Sequence, residues 1–135
     1  MAKVILALGT NLGNRKENLK KAIISISRFA GKVLKETEIL ETKPFGITNQ
    51  PYFLNQGILI ETYHPPLLLL KILKEIEKRN GRFKTFRWGP RTIDIDILIY
   101  DDLAIKTTQL QIPHPGIENR DFFQRIINDF KSTGE

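Results

Sequence analysis

The stretch Thr92–Tyr100 constrains this chain more than any other. It alternates strictly, with Ile93, Ile95, Ile97 and Ile99 on one side of an extended strand and Asp94, Asp96, Leu98 and Tyr100 on the other. Isoleucines in step demand an apolar layer over one face. Asp94 and Asp96, two apart, project side by side from the opposite face. Neighbouring carboxylates repel, and one is driven toward protonation unless a cation sits between them. Oxygen donors in a chain with no cysteine and only two histidines point to Mg²⁺ rather than zinc. A solvated acid pair on an exposed sheet face is the plainer alternative.

The rest of the chain supplies partners for that strand. Val4–Leu8 is a continuous apolar run, as expected of a central strand covered on both faces. A turn at Gly9–Asn14 leads into a helix over about Arg15–Ala30, whose Leu19, Ala22, Ile23, Ile26, Phe29 and Ala30 share one face, with Gly31 at its end. Lys32–Thr42 reads as a strand and Lys43–Pro51 as a loop. Tyr52–Glu61 is a strand with Leu54, Gln56, Ile58 and Ile60 on one face and Phe53, Asn55, Gly57 and Leu59 on the other. Pro65 and Pro66 suit the first turn of a second helix, which ends at Asn80-Gly81 and places His64 at its start. Arg82–Arg91 is a second loop. A turn at Asp101-Asp102, a short strand near Leu110–Ile112 and a helix around Phe122–Phe130 complete the chain. The order β-α-β-β-α-β predicts a ferredoxin-like α+β sandwich, an antiparallel sheet with both helices on one face and a C-terminal helix added. At 135 residues the chain is expected to form a single domain, 1–135.

Charge narrows the function. Lys+Arg is 21 against 15 for Asp+Glu, a formal net charge of +6. Six cations, Lys78, Arg79, Arg82, Lys84, Arg87 and Arg91, follow Glu77 with no acid among them and lead directly into the D-x-D strand. Phosphate-binding cations beside a metal site are what phosphoryl transfer needs. The same basic loop, with Trp88 inside it, also suits an RNA-binding module. That alternative lacks an RNP1 pattern, and Asp94 and Asp96 would repel a phosphate backbone. An acylphosphatase-like hydrolase is a further option on fold analogy. The absence of cysteine excludes disulfide scaffolds, Cys-ligated zinc, iron–sulfur clusters and thiol catalysis, and suits a cytoplasmic protein. No apolar run approaches the roughly 20 residues of a membrane span. There is no G-x-x-x-x-G-K-[ST] and no G-x-G-x-x-G, so the Gly9–Gly13 turn reads as structural rather than phosphate-binding.

Three more positions stand out. His114 is framed by Pro113 and Pro115 with Arg120 nearby, so it has a stiff setting from which to donate to a phosphate. Phe53 and Asn55 share a strand face, where a ring and a carboxamide can stack on a flat heterocycle and bond its edge.

The stretch Arg87-Trp88-Gly89-Pro90-Arg91-Thr92-Ile93-Asp94-Ile95-Asp96-Ile97 resembles the signature of the 6-hydroxymethyl-7,8-dihydropterin pyrophosphokinases of folate biosynthesis. Three further segments resemble the family in its order: Leu8–Gly13, Gln50–Asn55, and Ile112–Pro115 with Asn119-Arg120. The resemblance implies an ATP-dependent transfer of pyrophosphate to the pterin hydroxymethyl group, giving AMP, on a ferredoxin-like fold. It implies that Asp94 and Asp96 hold two Mg²⁺ ions and that Arg82 and Arg91 clamp phosphate as catalytic residues. His114 and Arg120 would contact the triphosphate, and Glu77 and Ile97 the nucleoside. Asn55, Thr42 and the Phe45 backbone would read the pterin edge, Phe53 and Phe122 would sandwich its ring, and Trp88 would close over it. The loops Lys43–Pro51 and Arg82–Arg91 match the family's mobile loops, whose closure keeps water from bound ATP. The partners implied are these two small molecules, with no nucleic acid and no membrane, acting on a monomer. The chain departs from the family pattern at Phe53, in place of Tyr, and at Gln109, Gln111 and Pro115, in place of Arg, Thr and Tyr. Its Arg82–Arg91 loop and C-terminus are also shorter.

Overall fold

The N-terminal apolar run belongs to a longer strand, β1 (Ala2–Thr10), buried at every position but Lys3. The structure, a computed structural model, describes residues 1–44, 49–80 and 92–131. After β1 the chain turns into α1 (Arg15–Phe29), where the Asn14 side chain accepts the Glu17 N–H at 3.2 Å as an N-terminal cap. Leu19, Ala22 and Ile26 are its buried stripe, and Ala30 is buried just beyond its end. Phe29, expected on that stripe, is instead 45% exposed in the last turn.

The strand expected over Lys32–Thr42 is two strands, β2 (Lys32–Glu36) and β3 (Leu40–Thr42). Both pair antiparallel with β4 (Phe53–Thr62). At the break Thr37 keeps hold of β4. Its N–H donates to Gly57 O at 2.9 Å, and its hydroxyl accepts the Gly57 N–H at 2.9 Å. Next come α2 (Pro66–Arg79) and β5 (Asp94–Tyr100). A two-stranded ribbon, β6 (Ile105–Lys106) with β7 (Gln111–Ile112), precedes α3 (Asp121–Lys131). The main sheet runs β2-β4-β1-β5, with β3 also on β4, and all these pairs are antiparallel. This is the expected ferredoxin-like order. Among the described residues, no helix is long and apolar enough to cross a membrane.

Each sheet face has its own cluster. Val4, Leu6 and Leu8 of β1 pack with Leu54, Ile58 and Ile60 of β4 and with the apolar stripes of α1 and α2. On the opposite face Ile5, Ala7, Leu59 and Leu98 lie against Phe123, Ile126, Ile127 and Phe130 of α3. The C-terminal helix therefore makes a third layer, which its amphipathic pattern alone did not assign to either face. Gly57 lets it settle: a Cβ there would lie 2.2 Å from Ile126 Cγ2.

One alternation expected from the sequence breaks. Between Ile5 and Leu6, β1 advances one residue while its partners on β5 go from Ile99 to Ile97. The extra residue, Leu98, is a bulge, and it shifts the side-chain phase beyond it. Leu98 and Ile99 both pack toward α3, while Tyr100 joins the α1/α2 face. There its hydroxyl donates to the His64 carbonyl at 2.7 Å, tying β5 to the start of α2. Burial pushes the Tyr100 phenol above its usual 10.0, and the charge of Asp101 adds to the effect.

Candidate active site

The third layer stops short of the sheet's end. In register, Gly57, Ala7 and Asp96 form one row across β4, β1 and β5, and Asn55, Gly9 and Asp94 form a second. The central strand contributes only Ala7 and Gly9 to these rows, so nothing tall stands between the β4 and β5 side chains. A cavity of about 360 Å³ opens above them, walled by Phe53, Thr42 and Lys43 on one side and by Arg120 and Phe122 on the other. Gly9 is required by its neighbours. A Cβ there would come 3.1 Å from Asn55 Oδ1 and 3.5 Å from the Phe53 ring. Asn55 is 2% exposed, and its Nδ2 donates to Thr42 Oγ1 at 2.6 Å and toward Leu40 O at 3.5 Å. With its amide hydrogens directed to β3, it presents Oδ1, an acceptor, over Gly9.

A second cavity, about 290 Å³, lies along β5, α2 and the β6–β7 ribbon. Its wall includes Leu70, Lys74, Ile97, Gln109, Gln111 and His114. Asp96 lines both cavities. Its side chain is 35% exposed, and its Oδ1 lies 3.8 Å from His114 Nε2. His114 is held from two directions. Its backbone N–H donates to the carbonyl of the bulged Leu98 at 2.9 Å, and the Gly116 N–H donates to its Nδ1 at 2.9 Å. A neutral imidazole that accepts at Nδ1 carries its proton on Nε2, the nitrogen facing Asp96. The His114 ring meets Phe123 edge-on at 5.1 Å, and the Arg120 guanidinium lies over the same Phe123 at 5.0 Å. One buried ring thus supports a side chain at the rim of each cavity.

Seven of the residues singled out in the sequence gather around the first cavity: Thr42, Phe53, Asn55, Asp94, Asp96, Arg120 and Phe122. Ile97 and His114 line the second, together with the divergent Gln109, Gln111 and Pro115. Glu77 stands one layer back. It is 2% exposed, its Oε2 accepts the Ile95 N–H at 2.7 Å, and its Oε1 lies 3.7 Å from Lys74 Nζ. It thereby braces the backbone between the two aspartates. Phe45, Arg82, Trp88 and Arg91, with Lys84 and Arg87, lie outside the described residues.

Sequence reasoning missed Lys43, Lys74 and Phe123. The two lysines carry no local signal that separates them from solvated ones, and Phe123 reads only as part of an amphipathic helix. In the Gly9–Gly13 turn, Gly9 forms part of the cavity floor. Asn18 donates to Thr10 Oγ1 at 3.1 Å and to Leu12 O at 2.7 Å, holding the turn against α1.

The acidic pair suits Mg²⁺. Among the described residues no group of three or more His, Asp or Glu is placed to hold a metal, and Asp94 and Asp96 are neighbouring carboxylates on the floor of the first cavity. Mg²⁺ is commonly held by one or two carboxylates, with water and phosphate oxygens completing the shell.

An α+β sandwich with two adjoining clefts that share a carboxylate has room for two small ligands side by side. Residues 5–132 match the 7,8-dihydro-6-hydroxymethylpterin-pyrophosphokinase family, and the chain belongs to it. It is 45% identical over 123 residues to the 2-amino-4-hydroxy-6-hydroxymethyldihydropteridine pyrophosphokinase of Aquifex aeolicus, covering 91% of this chain and 76% of that protein. It is 41% identical over 118 residues to the Bacillus subtilis protein of the same name, covering 87% and 71%. The fold is also that of a Plasmodium falciparum HPPK-DHPS crystal structure with pterin and p-hydroxybenzoate, at a TM-score of 0.72 and 17% identity, covering 95% of this chain and 38% of that one. Membership makes the chain an ATP-dependent pyrophosphokinase of folate biosynthesis and sets aside the RNA-binding alternative.

Proposed function

We propose that the first cavity takes 6-hydroxymethyl-7,8-dihydropterin, that the second takes ATP, and that pyrophosphate passes between them at Asp96. The observation that carries this reading is that Asp96 lines both cavities. Phe53 and Phe122 stack on the pterin ring from opposite walls. Asn55 Oδ1 accepts from ring N–H groups, with Thr42 holding its amide in that orientation and the Phe45 backbone assisting. Asp94 and Asp96 would hold Mg²⁺, as two ions, which when bound would supply neutralisation of phosphate charge. His114 donates from Nε2 to a phosphate oxygen, and Arg120, on the wall of the first cavity, adds positive charge from the pterin side. Arg82 and Arg91 clamp the triphosphate, and Trp88 closes the pterin side. Ile97 packs against the nucleoside, and Glu77 acts on it from behind by fixing Ile95.

The hydroxymethyl oxygen attacks the β-phosphorus in line and gives up its proton to solvent. The bond between that phosphorus and the oxygen bridging to the α-phosphorus breaks, and AMP leaves. The protein's part is orientation and charge neutralisation, the main demands of phosphoryl transfer. The same reading makes the chain a single domain, working as a monomer in the cytoplasm on small molecules without nucleic acid or membrane. Incubating the pure protein with ATP, Mg²⁺ and the dihydropterin is expected to release AMP in step with the pterin diphosphate. ADP as the nucleotide product would overturn the assignment.

A further inference from the structure

The β1–α1 turn reaches much farther than a connection between neighbours needs to. Asn11 is fully buried, and its Nδ2 donates at 3.2 Å both to Gln50 Oε1 and to the Pro51 carbonyl, 39 and 40 residues away. Four residues on, Arg15 NH1 donates to the Tyr52 carbonyl at 2.7 Å and pairs with Glu41 Oε2 at 3.1 Å. Successive carbonyls, Pro51 and Tyr52, are thus taken by a side chain of this turn and by the first residue of α1, just before β4 begins at Phe53. Glu41 on β3 brings the other end of the β3–β4 connection to the same point. The turn itself is fixed to α1 by the two Asn18 hydrogen bonds. Phe53 and Asn55, the first outward-facing pair of β4, therefore inherit their placement from Asn11 and Arg15.

We infer that Asn11 is a positioning residue for the pterin cavity: it sets where the chain enters β4 and so where the Phe53 ring and the Asn55 carboxamide stand. Asn11 is not among the described residues that line the cavity. Both acceptors are oxygens, so what it supplies is a pair of donors. An isosteric aspartate would turn a carboxylate oxygen toward them and repel both. This separates donation from mere filling of space. The inference rests on the reading of the first cavity as the pterin site.

The test compares Asn11→Asp, Asn11→Ala and Phe53→Ala with the unaltered chain. It measures kcat, the KM for each substrate and pterin binding by equilibrium titration, at a temperature well below each variant's Tm. The expected result for Asn11→Asp is pterin binding and pterin KM weakened about tenfold or more, as for loss of a buried hydrogen-bond pair. The KM for ATP should stay within about twofold, because the second cavity shares no wall with this turn. Asn11→Ala should lie between Asn11→Asp and the unaltered chain. Pterin binding by Asn11→Asp at the original strength, or equal weakening of both substrates, overturns the inference while leaving the cavity assignment standing if Phe53→Ala has lost pterin binding. If Phe53→Ala binds pterin normally, the cavity assignment falls and the inference with it.

Discussion

The two faces of the sheet are built from the same strands but finished differently. The face under α1 and α2 is apolar at Val4, Leu6 and Leu8 on β1 and at Leu54, Ile58 and Ile60 on β4, and the polar side chain between them, Gln56, is buried and donates to the Thr37 carbonyl. The face under α3 is apolar only where α3 lies over it, at Ile5, Leu59 and Leu98. Beyond that it turns to Asn55, Asp94 and Asp96 over the small residues Ala7 and Gly9. The first face buries the larger apolar cluster, and on the other, past the residues that α3 packs on, the described side chains form a polar floor. β5 shows the division within seven residues, because its Ile95 and Ile97 serve the first face and its Asp94 and Asp96 the second.

Substitutions on the two faces are expected to fail in different ways. The largest effect belongs to the polar end. Asp96→Ala should lower kcat by roughly 10³-fold, in the range seen when one preorganised charge-stabilising group is removed. Its circular dichroism and Tm should stay close to the unaltered chain, because Asp96 is half-exposed and outside both apolar clusters. Turnover within tenfold of the original would remove it from the reacting centre. Ile58→Ala should do the opposite. Ile58 is fully buried on the α1/α2 face, and its truncation should cost about 2–5 kcal/mol in urea unfolding. Activity per folded molecule should hardly change, and a large loss of kcat there would mean that the faces are coupled more tightly than their separate clusters suggest.

The smallest effect sits where the bulge moves one side chain from one face to the other. Tyr100→Phe removes the hydrogen bond to the His64 carbonyl and should cost about 1 kcal/mol near neutral pH. The raised phenol also gives a pH signature. A group whose value is higher in the folded chain stabilises fully below its unfolded value, and that share fades as pH rises through the folded value. The unaltered protein should therefore lose stability above pH 10 more steeply than Tyr100→Phe. Denaturation midpoints recorded across that range would check it, and parallel curves would show that the phenol is not coupled to folding.

Much of this division is legible in the chain. The alternation in Tyr52–Glu61 assigns each β4 side chain to the face it occupies, because a strand's two-residue period leaves no freedom once one face is buried. The D-x-D pair is legible as well, and the structure sets both aspartates at the first cavity. The bulge at Leu98 is not legible, because it arises from a mismatch with β1 that neither strand records alone. It reverses the faces of Ile99 and Tyr100 and leaves the Leu98 carbonyl where it receives the His114 N–H. Part of the cavity wall is hidden as well, since Lys43 and Phe123 come beside the residues that the motifs mark only after the sheet has formed.

The sequence by itself determined the strand and helix order, the carboxylate pair and the family, because periodicity and local motifs act over a few residues. Only the tertiary structure decided that α3 covers half of one face and stops. It also decided that Asp96 stands between two cavities and that a turn after β1 governs the entry to β4. These are outcomes of long-range packing, in which a glycine such as Gly57 or Gly9 matters for the neighbour that approaches it and not for the residues beside it in the chain.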